Sequence, residues 1–252
     1  MSIPNMRIML TPAMSKRLIA LGICEQDCVN EKLQKGMVVV CGGTSNAYVA
    51  EAILEKIGCD IGELKNEMFR GVVVPHGKSV RRGEIVDVVI IDGKWERELS
   101  FADVIDRVSE GDVIIKGGNA LYPENGEVGV LMGNPAGGTL MLVSRAAYGK
   151  RAKILAPVGL EKRVLAPISD LMEVENEPGM EGERLGLLPA KAYTEIEAIS
   201  DLTCADAVLI AGGGVMGAEG AVHFQVIGEE EDIAQMKALY EELKKVENYT
   251  QD

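Results

Sequence analysis

The hydrophobic pattern of the chain alternates between short apolar runs and longer segments with helical spacing. The run "MVVVC" at 37–41 is β-branched, as in a buried parallel strand, and the apolar positions of 48–57 recur at helical spacing. Three further runs that predict strands are "GDVIIKGGN" (111–119), "AKILAPVG" (152–159) and "DAVLIAGGG" (206–214). Since strands alternate with helices, we predict an α/β fold with a mostly parallel, doubly wound sheet.

Local signals add detail to this outline. Asp92-Gly93 predicts a hairpin turn, and Ser100 with Asp103 predicts a capping box that opens a helix. The tail from Glu230 has one apolar stripe, typical of a closing surface helix. The polar segment 173–193 predicts a long loop, either a lid or a crossing. We predict an α/β ligand-binding domain at 1–200, with the C-terminal strands and helix of 201–252 packed on it as a small α+β extension.

Composition and charge limit the classes of binding partner and the cellular location that we expect. The chain has 252 residues, 26 Lys+Arg against 39 Asp+Glu and a net charge of −13, which argues against nucleic-acid and anionic-membrane partners. Five cysteines, an odd number, indicate a reducing, cytoplasmic location, and the spacing of Cys24 and Cys28 does not predict a metal site. The sequence has no apolar segment long enough to span a membrane and no signal-peptide core at its start. We also expect a homo-oligomer.

Four glycine-rich loops are the candidate binding elements. In a doubly wound sheet, ligands bind beyond the carboxyl ends of the strands, where glycines let the backbone approach an anion and helix N-termini present free N–H groups. The first three loops follow predicted strands and the fourth opens a helix: Gly42, Gly43, Thr44, Ser45, Asn46; Lys116, Gly117, Gly118, Asn119; Gly212, Gly213, Gly214; and Asn134, Gly137, Gly138, Thr139. We expect the first three to converge on one pocket at the carboxyl ends of the sheet, with Asn119 and Thr139 facing Thr44.

Each candidate has a simpler interpretation. Thr44 or Ser45 could merely cap the helix. The glycines at 212–217 match a dinucleotide fingerprint, but no second βαβ half follows, so we expect no nicotinamide cofactor and no other cofactor.

The basic cluster and the second histidine also have simple structural interpretations. The basic cluster is either a solvated turn or the rim of an anion pocket, and its members are His76, Lys78, Arg81 and Arg82. His223 alternates with apolar neighbours and is interpreted as a packed strand residue.

The segments "VVVCGGTSNAYVAEAIL" and "DVIIKGGNALYPENGEVGVLMGNPAGGTLMLVSRAAYGKRAKILAPVG" together resemble one superfamily. It comprises ribose-5-phosphate isomerases, glucosamine-6-phosphate deaminases, CoA transferases, initiation-factor-2B-like proteins and DeoR-type sensor domains. The resemblance covers residues 36–160 and is closest to the initiation-factor-2B-like and DeoR-sensor-like branches. It implies that Gly43-Thr44-Ser45 cradle a phosphate. Where the isomerases have a catalytic aspartate, this chain has Asn119, so that role is not transferred.

The resemblance leaves three functions open. The first is an isomerase-like enzyme that acts on a phosphorylated small molecule by proton transfer, with Lys116 polarising the substrate and Glu124 or Glu127 as acid or base. The second is a CoA-transferase-like enzyme that acts on a CoA ester with Glu124 as nucleophile. However, "ENG" at 124–126 also fits a plain turn between strands. The third is a sensor that binds the same phosphorylated metabolite without chemistry.

Overall fold

The computed structural model describes residues 3–62, 64–68, 73–74, 76–77 and 83–247. The strands are β1 (Asn5–Leu10), β2 (Met37–Cys41), β3 (Asp87–Ile91), β4 (Lys94–Trp95), β5 (Val113–Ile115), β6 (Ala120–Tyr122), β7 (Glu127–Met132), β8 (Lys153–Pro157), β9 (Arg184–Tyr193), β10 (Asp206–Gly212) and β11 (Val222–Ile227). The α-helices are α1 (Pro12–Cys24), α2 (Asp27–Gln34), α3 (Thr44–Lys56), α4 (Leu64–Glu67), α5 (Phe101–Val104), α6 (Gly138–Ser144), α7 (Ile168–Glu175), α8 (Glu195–Thr203) and α9 (Glu230–Leu243).

An eight-stranded sheet forms the centre of the protein, in the order β4-β3-β2-β5-β8-β9-β7-β6. Its four inner strands, β2, β5, β8 and β9, run parallel, and the pairs on both flanks are antiparallel. The predicted α/β fold is confirmed, and the sheet is mixed. Since the inner strands are parallel, the loops that follow β2, β5 and β8 emerge at one edge, which we call the carboxyl edge.

The local signals in the sequence correspond to observed structure. β2 is buried along its whole length, as expected of an apolar strand flanked on both sides by other strands. Asp92 and Gly93 turn the β3–β4 hairpin with φ of 48° and 75°. Both hydrogen bonds of the Ser100–Asp103 capping box are present at the start of α5. The tail helix buries Ile233, Met236 and Leu243, so its stripe faces the core.

A second, three-stranded antiparallel sheet joins the two ends of the chain. β11 lies in its middle, between β1 and β10. On β11, Val222, Phe224 and Val226 are buried and alternate with half-buried positions, as the period of two predicts. The third glycine-rich loop follows β10 and therefore leaves a strand of this sheet and not one of the large sheet.

The prediction of a long loop at 173–193 is wrong. Helix α7 continues to Glu175 and the segment from Arg184 to Tyr193 is β9. The strand tolerates Pro189 because the β7–β9 register shifts there: Glu127 pairs with Lys191, but Gly129 already pairs with Leu187. A proline lacks the N–H that regular pairing needs, and a bulge removes that need.

Two further features bear on function. In the described ranges, no helix combines the length and the apolar character needed to cross a membrane. All five cysteines are described, and none forms a disulfide.

Candidate functional site

The loop between β2 and α3 lies at the carboxyl edge, and hydrogen bonds to neighbouring segments fix its backbone. Gly43 is the N-cap of α3 with φ of 152°, a backbone conformation that favours glycine. Its N–H donates to the carbonyl of Met68 (3.1 Å), and the N–H of Gly42 donates to the Asp87 carboxylate (2.9 Å). Because the first N–H groups of a helix have no partner within the helix, those at the start of α3 point out of this loop.

Asn46 ties this loop to the next strand. Its side chain is buried, and its Nδ2 donates to the carbonyl of Cys41 (2.6 Å) at the end of β2 and to that of Ile115 (3.5 Å) at the end of β5. Its Oδ1 is buried and accepts no hydrogen bond from the described residues. A Cβ built on Gly117 would lie 3.3 Å from that oxygen. The structure therefore brings the first two predicted loops together through Asn46.

Three lysines surround these loops. Lys16, on α1, donates from Nζ to Thr44 Oγ1 (3.4 Å). Lys162, in the 3₁₀ turn 160–162 that follows β8, donates to the carbonyl of Gly118 (2.9 Å) and contacts Ser45 Oγ (3.5 Å). Lys116 donates to the carbonyl of Gly117 (3.0 Å). All three side chains are half-buried, and their partners are neutral oxygens. We call Lys16, Lys116 and Lys162 the lysine cluster.

Burial lowers the pKa of every lysine in the cluster. Desolvation is the largest cause in each case, and the charge of Lys162 further lowers the pKa of Lys16 and of Lys116. Glu161 acts in the opposite direction on Lys16 and Lys162, as a nearby negative charge should. These groups therefore share one electrostatic environment, in which positive charge is poorly solvated.

Two carboxylates, Glu161 and Glu195, lie close enough to the lysine cluster to act on its charges. Glu195, the first residue of α8, is fully buried and accepts from the backbone N–H of Leu160 (3.0 and 3.3 Å). Desolvation, with help from the charge of Glu161, raises the pKa of Glu195 to about 7. Glu161 folds back over Gly159, where a Cβ would lie 1.9 Å from its Oε2, and this oxygen is buried without a partner among the described residues.

The predicted acids of the β6–β7 hairpin lie outside this cluster. Glu124 is exposed at the hairpin turn and accepts a hydrogen bond from the Tyr122 hydroxyl. Glu127 accepts from the backbone N–H of Ile168 (2.8 Å) and from Asn125 (2.8 Å), so it joins the hairpin to α7. Asn119 accepts from the N–H of Leu131 (3.1 Å) at the base of the same hairpin.

The fourth predicted loop lies at the other edge of the sheet. Tyr193, at the end of β9, pairs with Pro157 at the carboxyl edge, whereas Arg184, at its start, pairs with Met132. The segment that follows Met132 therefore begins at the amino ends of the parallel strands. It contains Asn134, Gly137, Gly138 and Thr139, and the expectation that Thr139 faces Thr44 is wrong. The antiparallel course of β7 carries the chain away from the cluster.

The structure describes only some of the remaining predicted groups. His76 is exposed in a turn, and Lys78, Arg81 and Arg82 lie outside the described residues. Gly212 of the third loop lies against Arg163, since a Cβ there would be 2.9 Å from Arg163 Nη2. His223 is half-buried in β11, and its Nε2 lies 3.0 Å from the carbonyl of Gly213.

Sequence reasoning missed Lys16, Lys162, Glu161 and Glu195. Lys162 follows the strand "AKILAPVG" directly, so its position after a parallel strand is a signal that could have been used. Lys16 and Glu195 lie on helices, and the hydrophobic and polar spacing along these helices does not distinguish the two residues from surface residues. Only the packing of α1 and α8 against the carboxyl edge brings them to the loop.

The donor groups of this site suit an anion better than a cation. Within the described part of the chain, no group of three or more His, Cys, Asp or Glu side chains is arranged to hold a metal ion. A scan against models of known protein families finds no match to this chain, and a search of curated proteins finds none that is significantly similar.

Proposed function

We propose that this protein binds a phosphorylated small molecule, with the phosphate at the N-terminus of α3 held by Lys16 and Lys162 of the lysine cluster. The observation behind this proposal is that two half-buried lysines, Lys16 and Lys162, contact the hydroxyls of Thr44 and Ser45 at the start of α3. Lys116 donates to a carbonyl of the neighbouring glycine-rich loop, and all of these partners are neutral oxygens. Glu161 offsets only part of the buried positive charge of Lys16 and Lys162, since the pKa of both lysines is still lowered. Poorly compensated buried charge is costly, and a bound anion would supply further counter-charge.

Several features support a phosphate over a simple carboxylate. A phosphate carries up to two negative charges and offers several acceptor oxygens to ammonium groups, helix N–H groups and hydroxyls. The chain has a net charge of −13, so a local excess of lysines is unexpected without a ligand. The resemblance of Gly43-Thr44-Ser45 to a phosphate loop points in the same direction.

We further propose an isomerase-like proton transfer on that ligand. Glu161 is the preferred acid or base, in place of Glu124 and Glu127, because it adjoins Lys16 and Lys162 and has a buried oxygen without a hydrogen-bond donor. Such a carboxylate can accept a proton from substrate when the geometry allows it. Lys162 would neutralise the charge that develops on a neighbouring substrate oxygen.

Calorimetric titration with inorganic phosphate, sugar phosphates, nucleotides and acyl-CoAs tests the binding. Lys162→Gln should weaken binding of a phosphorylated ligand by about 10- to 100-fold, since a hydrogen bond to a charged group contributes about 1.5–3 kcal/mol. Lys237→Gln, an exposed lysine of α9, is the matched control and should leave affinity unchanged. Equal affinity of the parent and Lys162→Gln for every ligand would disprove this site.

Glu161→Gln separates an enzyme from a sensor. In an enzyme, this variant should still bind the ligand but lose exchange of its acidic C–H hydrogen with deuterated solvent, which NMR detects. If the parent protein binds the ligand and catalyses no exchange, the proton-transfer proposal is wrong, and the sensor function that we inferred from the sequence takes its place.

A further inference from the structure

Lys116 and Lys162 approach the same short loop from different elements. Lys116 follows β5 directly and donates to the carbonyl of Gly117, and Lys162 donates to the carbonyl of Gly118, the next residue. Two ammonium groups on consecutive carbonyls lie close together, and each repels the charge of the other. This repulsion is relieved when one of the two amines is neutral.

The surroundings of the two lysines favour a neutral amine at Lys116. Lys162 has Glu161 and Glu195 beside it, whose charges raise its pKa. Burial is the main cause that lowers the pKa of Lys116, and the charge of Lys162 lowers it further, whereas negative charge on Cys41 or Asp87 would raise it. Burial strongly raises the pKa of the Cys41 thiol, so that group is uncharged at neutral pH. The Asp87 carboxylate already accepts the N–H groups of Gly42 (2.9 Å) and Phe101 (3.0 Å).

We propose that Lys116 is a nucleophile that forms an imine with the carbonyl group of a phosphorylated aldehyde or ketone. This inference rests on the proposed phosphate site and names the class of its substrate. The half-buried amine next to a second cation is the arrangement that activates a lysine for such chemistry. The phosphate at the start of α3 would hold the carbonyl carbon near Nζ, because β2 and β5 are neighbouring strands.

The step is balanced in atoms and charge. The lone pair of Lys116 Nζ forms a bond to the carbonyl carbon, the carbonyl π electrons move to oxygen, and one proton moves from nitrogen to that oxygen. The nitrogen lone pair then forms the C=N bond as the C–O bond breaks. The hydroxyl leaves as water with a proton from the Lys162 ammonium, which gives a cationic imine on Lys116 and a neutral Lys162.

Reductive trapping tests this step on the intact protein. The probe is glycolaldehyde phosphate with cyanoborohydride, whose hydride converts an imine into a stable secondary amine, and peptide mass spectrometry locates the label. We expect Lys116 to be labelled at least about tenfold more by this probe than by unphosphorylated glycolaldehyde, because the phosphate contributes binding energy. Inorganic phosphate should compete with the label. Lys116→Arg keeps a long basic side chain that cannot form the imine and should take no label at the site.

The pH profile gives a second measurement. In Lys162→Gln the neighbouring cation is lost, so the labelling of Lys116 should require higher pH than in the parent. A role of Lys116 in packing alone would not shift this profile.

The outcomes separate the two proposals. Phosphate binding by calorimetry without label on Lys116 overturns the imine and leaves the proposed function intact. Absence of phosphate binding overturns both. Label on Lys116 that is equal for the two aldehydes overturns the phosphorylated substrate class.

Discussion

Replacing Glu195 by glutamine should remove a pH-dependent loss of stability. The carboxyl of Glu195 is fully buried beside the lysine cluster and has a pKa of about 7 in the folded protein, against 4.5 for an exposed glutamate. The folded state therefore holds this proton more tightly than the unfolded state does. Its stabilising contribution is complete below pH 4.5 and is lost as the pH rises to about 7.

The magnitude follows from the difference in pKa. One unit corresponds to about 1.4 kcal/mol, so a rise from 4.5 to about 7 amounts to about 3 kcal/mol between pH 4.5 and pH 8. Glutamine is neutral at every pH, and its amide oxygen can still accept the N–H of Leu160. Relative to the parent, Glu195→Gln should therefore gain about 3 kcal/mol of unfolding free energy over this range.

Urea unfolding at a series of pH values measures this effect. The fluorescence of Trp95, the single tryptophan and a buried residue of β4, reports unfolding. Glu98→Gln, at an exposed position, is the control and should give a curve parallel to that of the parent. If the difference between parent and Glu195→Gln were the same at pH 5 and pH 8, the burial argument would be refuted.

Two further predictions concern the loops around the lysine cluster. Gly118→Ala should lower the unfolding free energy by about 1–3 kcal/mol, because the added Cβ would lie 2.2 Å from Val128 Cγ1. Thermal unfolding measures the effect, and the control is Gly149→Ala, where a Cβ meets nothing within 4 Å. Equal melting temperatures of the two variants would contradict the packing argument. Asp87→Asn should lower the unfolding free energy measured in urea by about 1–3 kcal/mol, because one of the two N–H groups that the carboxylate accepts would face the NH₂ group of the amide. Unchanged stability would refute the role of Asp87 as acceptor of both N–H groups.

The loop at 42–46 illustrates what could be predicted from the sequence. The run of apolar β-branched residues, the two glycines and the helical spacing that follows are neighbours along the chain. They specify strand, loop and helix through local sterics and hydrogen bonding, and the structure has all three. The Asp92-Gly93 hairpin and the Ser100–Asp103 cap are predictable for the same reason.

Segment 173–193 shows where local reasoning fails. Gly186 and Pro189 disfavour a strand by intrinsic propensity, yet both lie in β9. Gly186 is needed for packing, since a Cβ there would lie 2.4 Å from Leu140 Cδ2 of α6. A residue that is unfavourable locally can thus be required by its neighbour in space, and the sequence gives no sign of which neighbour that is.

The sequence by itself determined most of the elements outside 173–193, the glycine-rich loops and the acidic charge balance, because propensity, periodicity and charge are properties of short segments. Only the tertiary structure decided that Lys16 and Lys162 meet Thr44 and Ser45, and that Thr139 does not. Pairing partners and register in a sheet are chosen by the burial of whole faces, which joins residues far apart in the chain. Strand pairing and register therefore decide which residues form the candidate site. The helix α1 and the turn after β8 supply two of its lysines, whereas the antiparallel β7 carries the fourth glycine-rich loop to the opposite edge.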